Sequence, residues 1–225
     1  MKPNVDRVPV PAGELATEQP GPAGSRSPDA RFAAAIRRFD EENARDPNTA
    51  AFESGTLPYE LFYAQRVTEW VLRLCPDASE ALLLAARCQH LCRWMIPRTS
   101  YEMTRAGYLK WRADLKQFHS KKAAEILAEL GYSPAMIERV RSLNLKHDLG
   151  RDREVQVLED ALCLVTLQHQ LGDLAQKVEP EKMVGILQKT WKKMSPAARE
   201  AALALSYPDS ERALLAAALS PASDR

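Results

Sequence analysis

Proline beside a polar residue recurs along this chain, and the recurrence constrains the fold more than any other feature of the sequence. Ser27-Pro28-Asp29, Ser133-Pro134 and Ser195-Pro196 are clear examples. A polar side chain can cap the free N–H groups of a first helical turn, and proline suits the next position because its missing N–H has no partner there. Only 9 of the 225 residues are glycine, which disfavours a fold with many tight turns. The sequence therefore predicts an all-α fold without strands.

Apolar residues between these starts recur at helical spacing and predict one globular domain of about eight to nine helices over residues 28–220. The predicted helices cover residues 28–45, 59–74, 80–92, 104–130, 134–145, 154–177 and 180–194, with two short helices that begin near 196 and 209. Residues 1–27 are rich in proline and glycine and have few large apolar side chains. Such a segment cannot bury enough surface to offset its ordering entropy, so we expect a disordered tail.

The charge balance and the apolar runs exclude several functional classes. The formal net charge is +1, from 31 basic and 30 acidic residues, so nucleic acid is not an expected partner. No apolar run reaches the roughly 20 residues that a membrane-spanning helix needs, and the first residues lack the apolar core of a signal peptide. The cysteines form no CxxC pair and are expected to be reduced. These features together predict a cytoplasmic protein.

Two histidines and one acidic pair stand in apolar helical segments, where polar side chains need partners. His90 lies in a run of leucine, alanine and cysteine, and His119 lies on the longest predicted helix. Glu159 and Asp160 stand side by side in another apolar helix, and burying them is costly unless a cation or a metal pairs with them. A hydrogen-bonded core histidine with a structural role is the alternative interpretation of His90.

Arginines and aromatic residues are concentrated between the two histidines. They are Arg87, Arg93, Trp94, Arg98, Tyr101, Arg105, Tyr108, Trp111, Arg112 and Lys116. Guanidinium groups beside aromatic rings suit a phosphate or a carboxylate that carries a flat group. The alternative is a solvated helix face, because Arg105, Arg112 and Lys116 follow one stripe of the long predicted helix.

The order of these pieces resembles the histidine–aspartate (HD) superfamily of all-helical, metal-dependent phosphohydrolases. The matching segments are Tyr63-Ala64-Gln65-Arg66-Val67, Cys88-Gln89-His90-Leu91, His119 with Ala123, Ala124, Ile126, Leu127 and Gly131, and Glu159-Asp160-Ala161-Leu162. Tyr63 stands in place of the first histidine ligand, and Leu91 stands in place of the metal-binding aspartate. The resemblance thus implies an HD-like fold and a divalent metal held by His90, His119 and Asp160.

Longer motifs resemble the family known as domain of unknown function 4202, over residues 32–219. They are Pro58-Tyr59-Glu60-Leu61 with Tyr63 and Arg66, Gln89-His90 with Arg93-Trp94, Ile96-Pro97-Arg98, Tyr101, Arg105 to Arg112, His119, Glu154-Val155-Gln156 and Leu158-Glu159-Asp160. This resemblance implies a shared fold and a shared site, but it does not imply a particular activity.

Two functions follow from these observations. The first is metal-dependent hydrolysis of a phosphorylated small molecule or nucleotide, with His119, Glu159 and Tyr63 in catalytic roles. The second is a non-catalytic helical protein that binds an anionic metabolite or a protein partner with the same side chains. The residues expected to bind the ligand are Arg66, Gln89, Arg93, Trp94, Arg98, Tyr101, Arg105, Tyr108, Arg112, Lys146 and Gln156.

Overall fold

The computed structural model describes residues 28–52 and 55–220, and this part of the chain is mostly helical, as the sequence predicts. The predicted tail, residues 1–27, lies outside the described residues. The elements are α1 (Pro28–Asn43), β1 (Thr49–Phe52), β2 (Gly55–Pro58), α2 (Tyr59–Leu74), α3 (Glu80–Cys88), α4 (Arg105–Glu129), α5 (Pro134–Leu145), α6 (Arg153–His169), α7 (Leu171–Lys177), α8 (Pro180–Lys193), α9 (Pro196–Leu203) and α10 (Asp209–Leu219). In this described part, no helix is both long and apolar enough to cross a bilayer.

Capping by polar side chains before proline is confirmed at two helix starts. The hydroxyl of Ser133 accepts a hydrogen bond from the backbone N–H of Met136 at the start of α5. Ser195 does the same for Ala198 at the start of α9. Each cap satisfies an N–H group that has no partner inside its own helix, which explains why these starts can be found from the sequence.

The prediction of a chain without strands is wrong, because a short antiparallel hairpin precedes α2. Strands β1 and β2 pair in a register that sets Thr49 opposite Pro58 and Ala50 opposite Leu57. Each strand has only 4 residues, which is too short to produce a readable alternation of apolar and polar side chains.

Two helix ends also differ from the prediction. Helix α3 ends at Cys88, before His90, because Cys92 adopts a left-handed conformation with φ 55° and donates its N–H to the side chain of Asn43. The predicted helix over 154–177 breaks at Gln170, whose side chain donates to the hydroxyl of Tyr59. This break raises the number of α-helices in the described residues to ten. Contacts with distant parts of the chain decide both ends.

Helix α6 lies at the centre of the domain. It packs against α2, α3, α5, α8 and α9, and Leu158, Ala161 and Leu164 are fully buried. Helix α3, which is dense in leucine and alanine, is likewise covered by α1, α2, α5 and α6. An apolar helix that is buried on most sides forces its few polar side chains to find partners inside the protein.

The segment between α3 and α4 forms short 3-10 turns at Arg93–Met95 and Arg98–Ser100 and then packs on the start of α4. A Cβ atom at Gly107 would lie 2.2 Å from the carbonyl oxygen of Glu102, so only glycine permits this close approach. Arg98 donates to the backbone carbonyls of Tyr101, Glu102 and Thr104 and holds the segment in place.

We expect Leu164→Ala to lower the free energy of unfolding by about 2–5 kcal/mol, because it leaves a cavity in the fully buried face of α6. Leu203→Ala is the matched control, since 65% of Leu203 is exposed. The control should change stability by less than about 0.5 kcal/mol. Urea denaturation monitored by circular dichroism measures both variants, and equal losses would contradict a core centred on α6.

Candidate functional site

Two histidines from different segments meet near the start of the α3–α4 connection. His90 lies in the turn that follows α3, His119 lies on α4, and their ring centroids are 5.8 Å apart. The ring of Tyr63, on α2, stacks on His90 at 4.3 Å with an interplanar angle of 9°. Three parts of the chain thus converge on His90, and the stacking fixes the plane of its ring. We call His90 and His119 the histidine pair.

His119 is held in one tautomer. Its Nδ1 lies 2.8 Å from the carbonyl oxygen of Leu91, which can only accept, so Nδ1 carries the proton and Nε2 carries the lone pair. This Nε2 is buried and has no hydrogen-bond partner among the described residues. Burial lowers the pKa of His119 to about 4, against the opposing effect of the Leu91 carbonyl. His119 is therefore neutral at physiological pH.

A buried carboxyl group faces His90 from the first turn of α2. Glu60 Oε2 lies 3.5 Å from His90 Nδ1, and Glu60 Oε1 lies 3.7 Å from Arg93 Nε. Glu60 is only 4% exposed, and burial raises its pKa to about 8, although the charge of Arg93 acts in the opposite direction and Asp46 adds to the rise. At neutral pH the proton therefore resides mainly on Glu60.

His90 itself is neutral. Burial lowers its pKa well below the usual value, and the positive charges of Arg93, Lys146 and Arg112 lower it further, with a contribution from His119. With a protonated Glu60 facing Nδ1, the hydrogen on His90 belongs on Nε2, the ring nitrogen on the other side from Glu60. His90 keeps 21% of its side chain exposed, so the ring reaches the surface.

A group of cations lies beside the histidine pair. Lys146 and Lys193 both form ion pairs with Glu159, the second at 3.4 Å. Burial lowers the pKa of Lys116, and the charges of Lys146, Arg112 and Lys193 lower it further against the opposing charge of Glu159. We call Arg112, Lys116, Lys146 and Lys193 the cationic cluster.

The cationic cluster contains one carboxylate. Lys146 and Lys193 overcome the burial of Glu159 and hold its pKa below the usual value, so this carboxylate is charged. Lys146 adopts a left-handed conformation with φ 59° at the end of α5, which is uncommon for a residue other than glycine. Because Lys146 and Arg112 also lower the pKa of His90, the cluster lies within electrostatic reach of the histidine pair.

The predicted metal ligands do not assemble in the described part of the chain. Asp160 Oδ1 accepts hydrogen bonds from the side chain of Gln156 and from the backbone N–H of Ser195, both at 2.9 Å, which ties α6 to the start of α9. No group of three or more His, Cys, Asp or Glu side chains among the described residues is arranged to hold a metal ion. These residues therefore do not fit a metal site made of His90, His119 and Asp160.

Some of the remaining predicted ligand-binding residues already have partners within the protein, and others are exposed or buried. Arg66 pairs with Glu69, Tyr101 donates to Asp114, Gln156 donates to Asp160 and to the carbonyl of Lys193, and Arg98 donates to backbone carbonyls. Gln89 is buried, Trp94 is half-buried against the core, and Arg105, Tyr108 and Arg112 are exposed. Arg93 extends from Glu60 to the ring of Trp111, 4.9 Å from its centroid. Arg93 thus lies near the histidine pair, and Arg112 and Lys146 lie within electrostatic reach of His90.

Sequence reasoning did not select Glu60 or Lys193, and it treated Lys116 only as part of a basic stripe. Glu60 stands in an ordinary first helical turn, where acidic residues are common on the surface. Lys193 lies in the last turn of α8, where lysine is equally common. Their positions became visible only when distant helices were packed together.

The chain matches the family described as domain of unknown function (DUF4202) over residues 33–215. This match covers most of the chain, so the chain belongs to that family. Searches of curated proteins and of solved structures gave no significant match. The family's description states no function, so the residues of the site are the basis for proposing one.

The stability of the protein should fall between pH 6.5 and 8.5 because of Glu60. Its folded pKa of about 8 lies above the ordinary value of 4.5, so its contribution is full below pH 4.5 and is lost as the pH rises through 8. Over this interval we expect a loss of about 1–2 kcal/mol in the free energy of unfolding, measured by urea denaturation.

Glu60→Gln keeps the shape of the protonated carboxyl group and should remove most of that loss, whereas the exposed Glu129→Gln should not. His119 does not interfere, because its lowered pKa affects stability only as the pH falls below 6.5. A wild-type protein whose pH dependence matches that of Glu60→Gln would contradict a protonated Glu60.

Proposed function

We propose that this member of the DUF4202 family binds a phosphorylated small molecule at the cationic cluster. One observation carries the proposal: two cations, Lys146 and Lys193, already pair with Glu159. Arg112 and Lys116 lie within electrostatic reach of the same group and form no ion pair among the described residues. The cations outnumber the carboxylate. Lys116 and Lys146 are partly buried, where the attraction between opposite charges is stronger than in water, whereas Arg112 and Lys193 are exposed. A phosphate group would supply the missing negative charge, and guanidinium and ammonium groups are the usual partners of phosphate.

Lys116 strengthens this argument. It is partly buried on α4, and it forms no ion pair with any described carboxylate. Burial lowers its pKa, and the charges of neighbouring cations, Lys146 first, lower it further, so its charge is unfavourable in the unliganded protein. A bound anion would attract these cations and offset their mutual repulsion. Anion binding therefore explains why the cations lie together, whereas folding alone does not.

An aromatic surface beside the cluster suits a ligand with a flat group, such as a nucleotide. Tyr108 is 41% exposed, and Arg112 Nη1 donates to its hydroxyl at 3.2 Å. The rings of Tyr108 and Trp111 are 5.9 Å apart and tilted by 44°. A base or another planar group could stack on Tyr108 while its phosphate contacts the cluster, since stacking on an exposed aromatic ring stabilises planar ligands.

Metal-dependent hydrolysis of such a ligand is the second candidate. His90 and His119 lie close enough together to supply two ligands, but Asp160 does not join them as the third. This candidate rests on the resemblance to the HD superfamily, and the HD-like fold remains a prediction as well. Binding is the better supported function, because the cationic cluster requires no metal and Asp160 is bonded to Gln156 and Ser195.

Inorganic phosphate and pyrophosphate should raise the melting temperature of the protein by mass action. We expect Lys116→Gln to weaken their binding about tenfold, which corresponds to about 1.4 kcal/mol. The same variant should leave the unliganded protein as stable as before or slightly more stable, because it removes a repelled charge. Isothermal titration calorimetry measures the affinities, and thermal melts measure the stabilities.

Lys121→Gln is the matched control, since it makes the same change of charge on α4 at an exposed position. It should bind phosphate like the wild type. Sodium chloride at equal ionic strength separates specific binding from general screening. If phosphate and pyrophosphate shift the melting temperature no more than sodium chloride does, the proposed function fails.

A further inference from the structure

A cavity of about 360 Å³ opens between the first turns of α6 and the start of α9. Its polar lining is formed by Arg151, Asp152, Arg153, Gln156, Asp160 and Ser195. Small-molecule sites commonly have volumes of roughly 300–1,000 Å³. None of the four members of the cationic cluster is among the described residues that line this space, so it is a separate place on the molecule. We call it the α6–α9 cavity.

Asp160 is the buried acidic group of the cavity. Only 3% of this residue is exposed, and its Oδ1 accepts hydrogen bonds from Gln156 and from the backbone of Ser195, both at 2.9 Å. Its Oδ2 has no hydrogen-bond partner among the described residues, and none of their cations forms an ion pair with it. A buried carboxylate without a cation is unfavourable, so a cationic group in the cavity would stabilise it.

Gln156 offers a second free oxygen one turn away from Asp160. Its Nε2 donates to Asp160 Oδ1 and, at 2.8 Å, to the carbonyl oxygen of Lys193. These two bonds fix the orientation of the amide and leave its Oε1 without a hydrogen-bond partner among the described residues. An ammonium group has three N–H donors and no acceptor, so it suits two neighbouring oxygens of this kind.

Two exposed arginines also line the cavity. Arg151 and Arg153 form no ion pair with a described carboxylate. Asp152 lies between them in sequence, but its carboxylate already binds Arg139 and the first N–H groups of α6. Arg153 precedes Asp160 by about two turns on the same face of α6, which is roughly 10 Å along the helix axis. The α6–α9 cavity thus combines a buried carboxylate with guanidinium groups at the surface.

We infer that the α6–α9 cavity binds a small zwitterion, either an amino acid or a dipeptide. Its ammonium group donates to the free oxygens of Asp160 and Gln156, and its carboxylate pairs with the two arginines. The side chains of Leu74 and Val157 also line the cavity and contact an apolar part of the ligand. The arginines repel a simple cation and the buried carboxylate repels a simple anion, so the ligand carries both charges. This inference does not depend on phosphate binding at the cationic cluster.

The first test compares ligands on the wild-type protein at pH 7. L-Leucine and L-leucylglycine carry both charges at different separations, and at least one of them should bind in isothermal titration calorimetry and raise the melting temperature. The C-terminal amide of each ligand lacks the carboxylate, and the N-acetyl form lacks the ammonium group. Each of these single-charge forms should bind at least about tenfold more weakly than its parent, because it loses a charge-assisted interaction.

The second test changes the cavity. Asp160→Asn keeps Oδ1 as the acceptor for both of its present donors but removes the charge, so it should weaken binding of the zwitterion at least about tenfold. The double variant Arg151→Gln/Arg153→Gln should weaken binding about three- to tenfold, since exposed ion pairs contribute less. Arg37→Gln, at an exposed arginine of α1 outside this cavity, is the control and should bind like the wild type.

Three outcomes would overturn the inference. Neither zwitterion binds the wild-type protein, a single-charge form binds as tightly as its parent, or the double arginine variant binds like the wild type. If Asp160→Asn does not fold, the double arginine variant and the single-charge ligands still decide. None of these results bears on the proposed function, which inorganic phosphate and Lys116→Gln test separately.

Discussion

The burial of α6 on nearly all sides is the constraint on which the rest of the structure depends. Its apolar residues require α2, α3, α5, α8 and α9 to pack around it, and this burial carries Glu159 and Asp160 into the interior. Neighbouring carboxylates cannot share one set of partners, because they point to different flanks of the helix. Lys146 and Lys193 pair with Glu159, whereas the backbone N–H of Ser195 bonds Asp160.

The contacts of Glu159 and Asp160 fix the connections that lead into and out of the neighbouring helices. The bond from Ser195 to Asp160 sets the turn between α8 and α9, and the same turn positions Lys193 beside Glu159. The ion pair from Lys146 draws the end of α5 towards α6. The cationic cluster is therefore a consequence of the need to pair one buried carboxylate, with Lys116 and Arg112 of α4 as an excess that this pairing does not explain.

Local chemistry explains what the sequence could predict about the fold. Ser133 and Ser195 indicate helix starts because the capping side chain and the N–H group that it binds are close in sequence. The end of α3 could not be predicted in the same way, because Asn43, far away in the chain, binds the N–H of Cys92 and stops the helix. The break at Gln170 likewise depends on Tyr59.

In the candidate site, too, the sequence could predict local features but not contacts between distant parts of the chain. The sequence indicated that His90, His119 and an acidic residue of α6 need partners, since polar groups in apolar helices are costly. It could not indicate which of two adjacent carboxylates faces the cations, because that choice is made by the packing of α5 and α8 against α6. Nor could it single out Glu60, whose burial depends on the α3–α4 connection and on Arg93.

Electrostatics links the two halves of the site. Burial keeps His90 neutral, with Arg93 and then two cations of the cluster, Lys146 and Arg112, adding to the effect, and burial also keeps the proton on Glu60. A phosphate bound at the cluster would add negative charge beside His90 and oppose the effect of Lys146 and Arg112 on its pKa. An anion at the cluster would therefore change the charge balance at His90 as well, which couples the cationic cluster to the histidine pair.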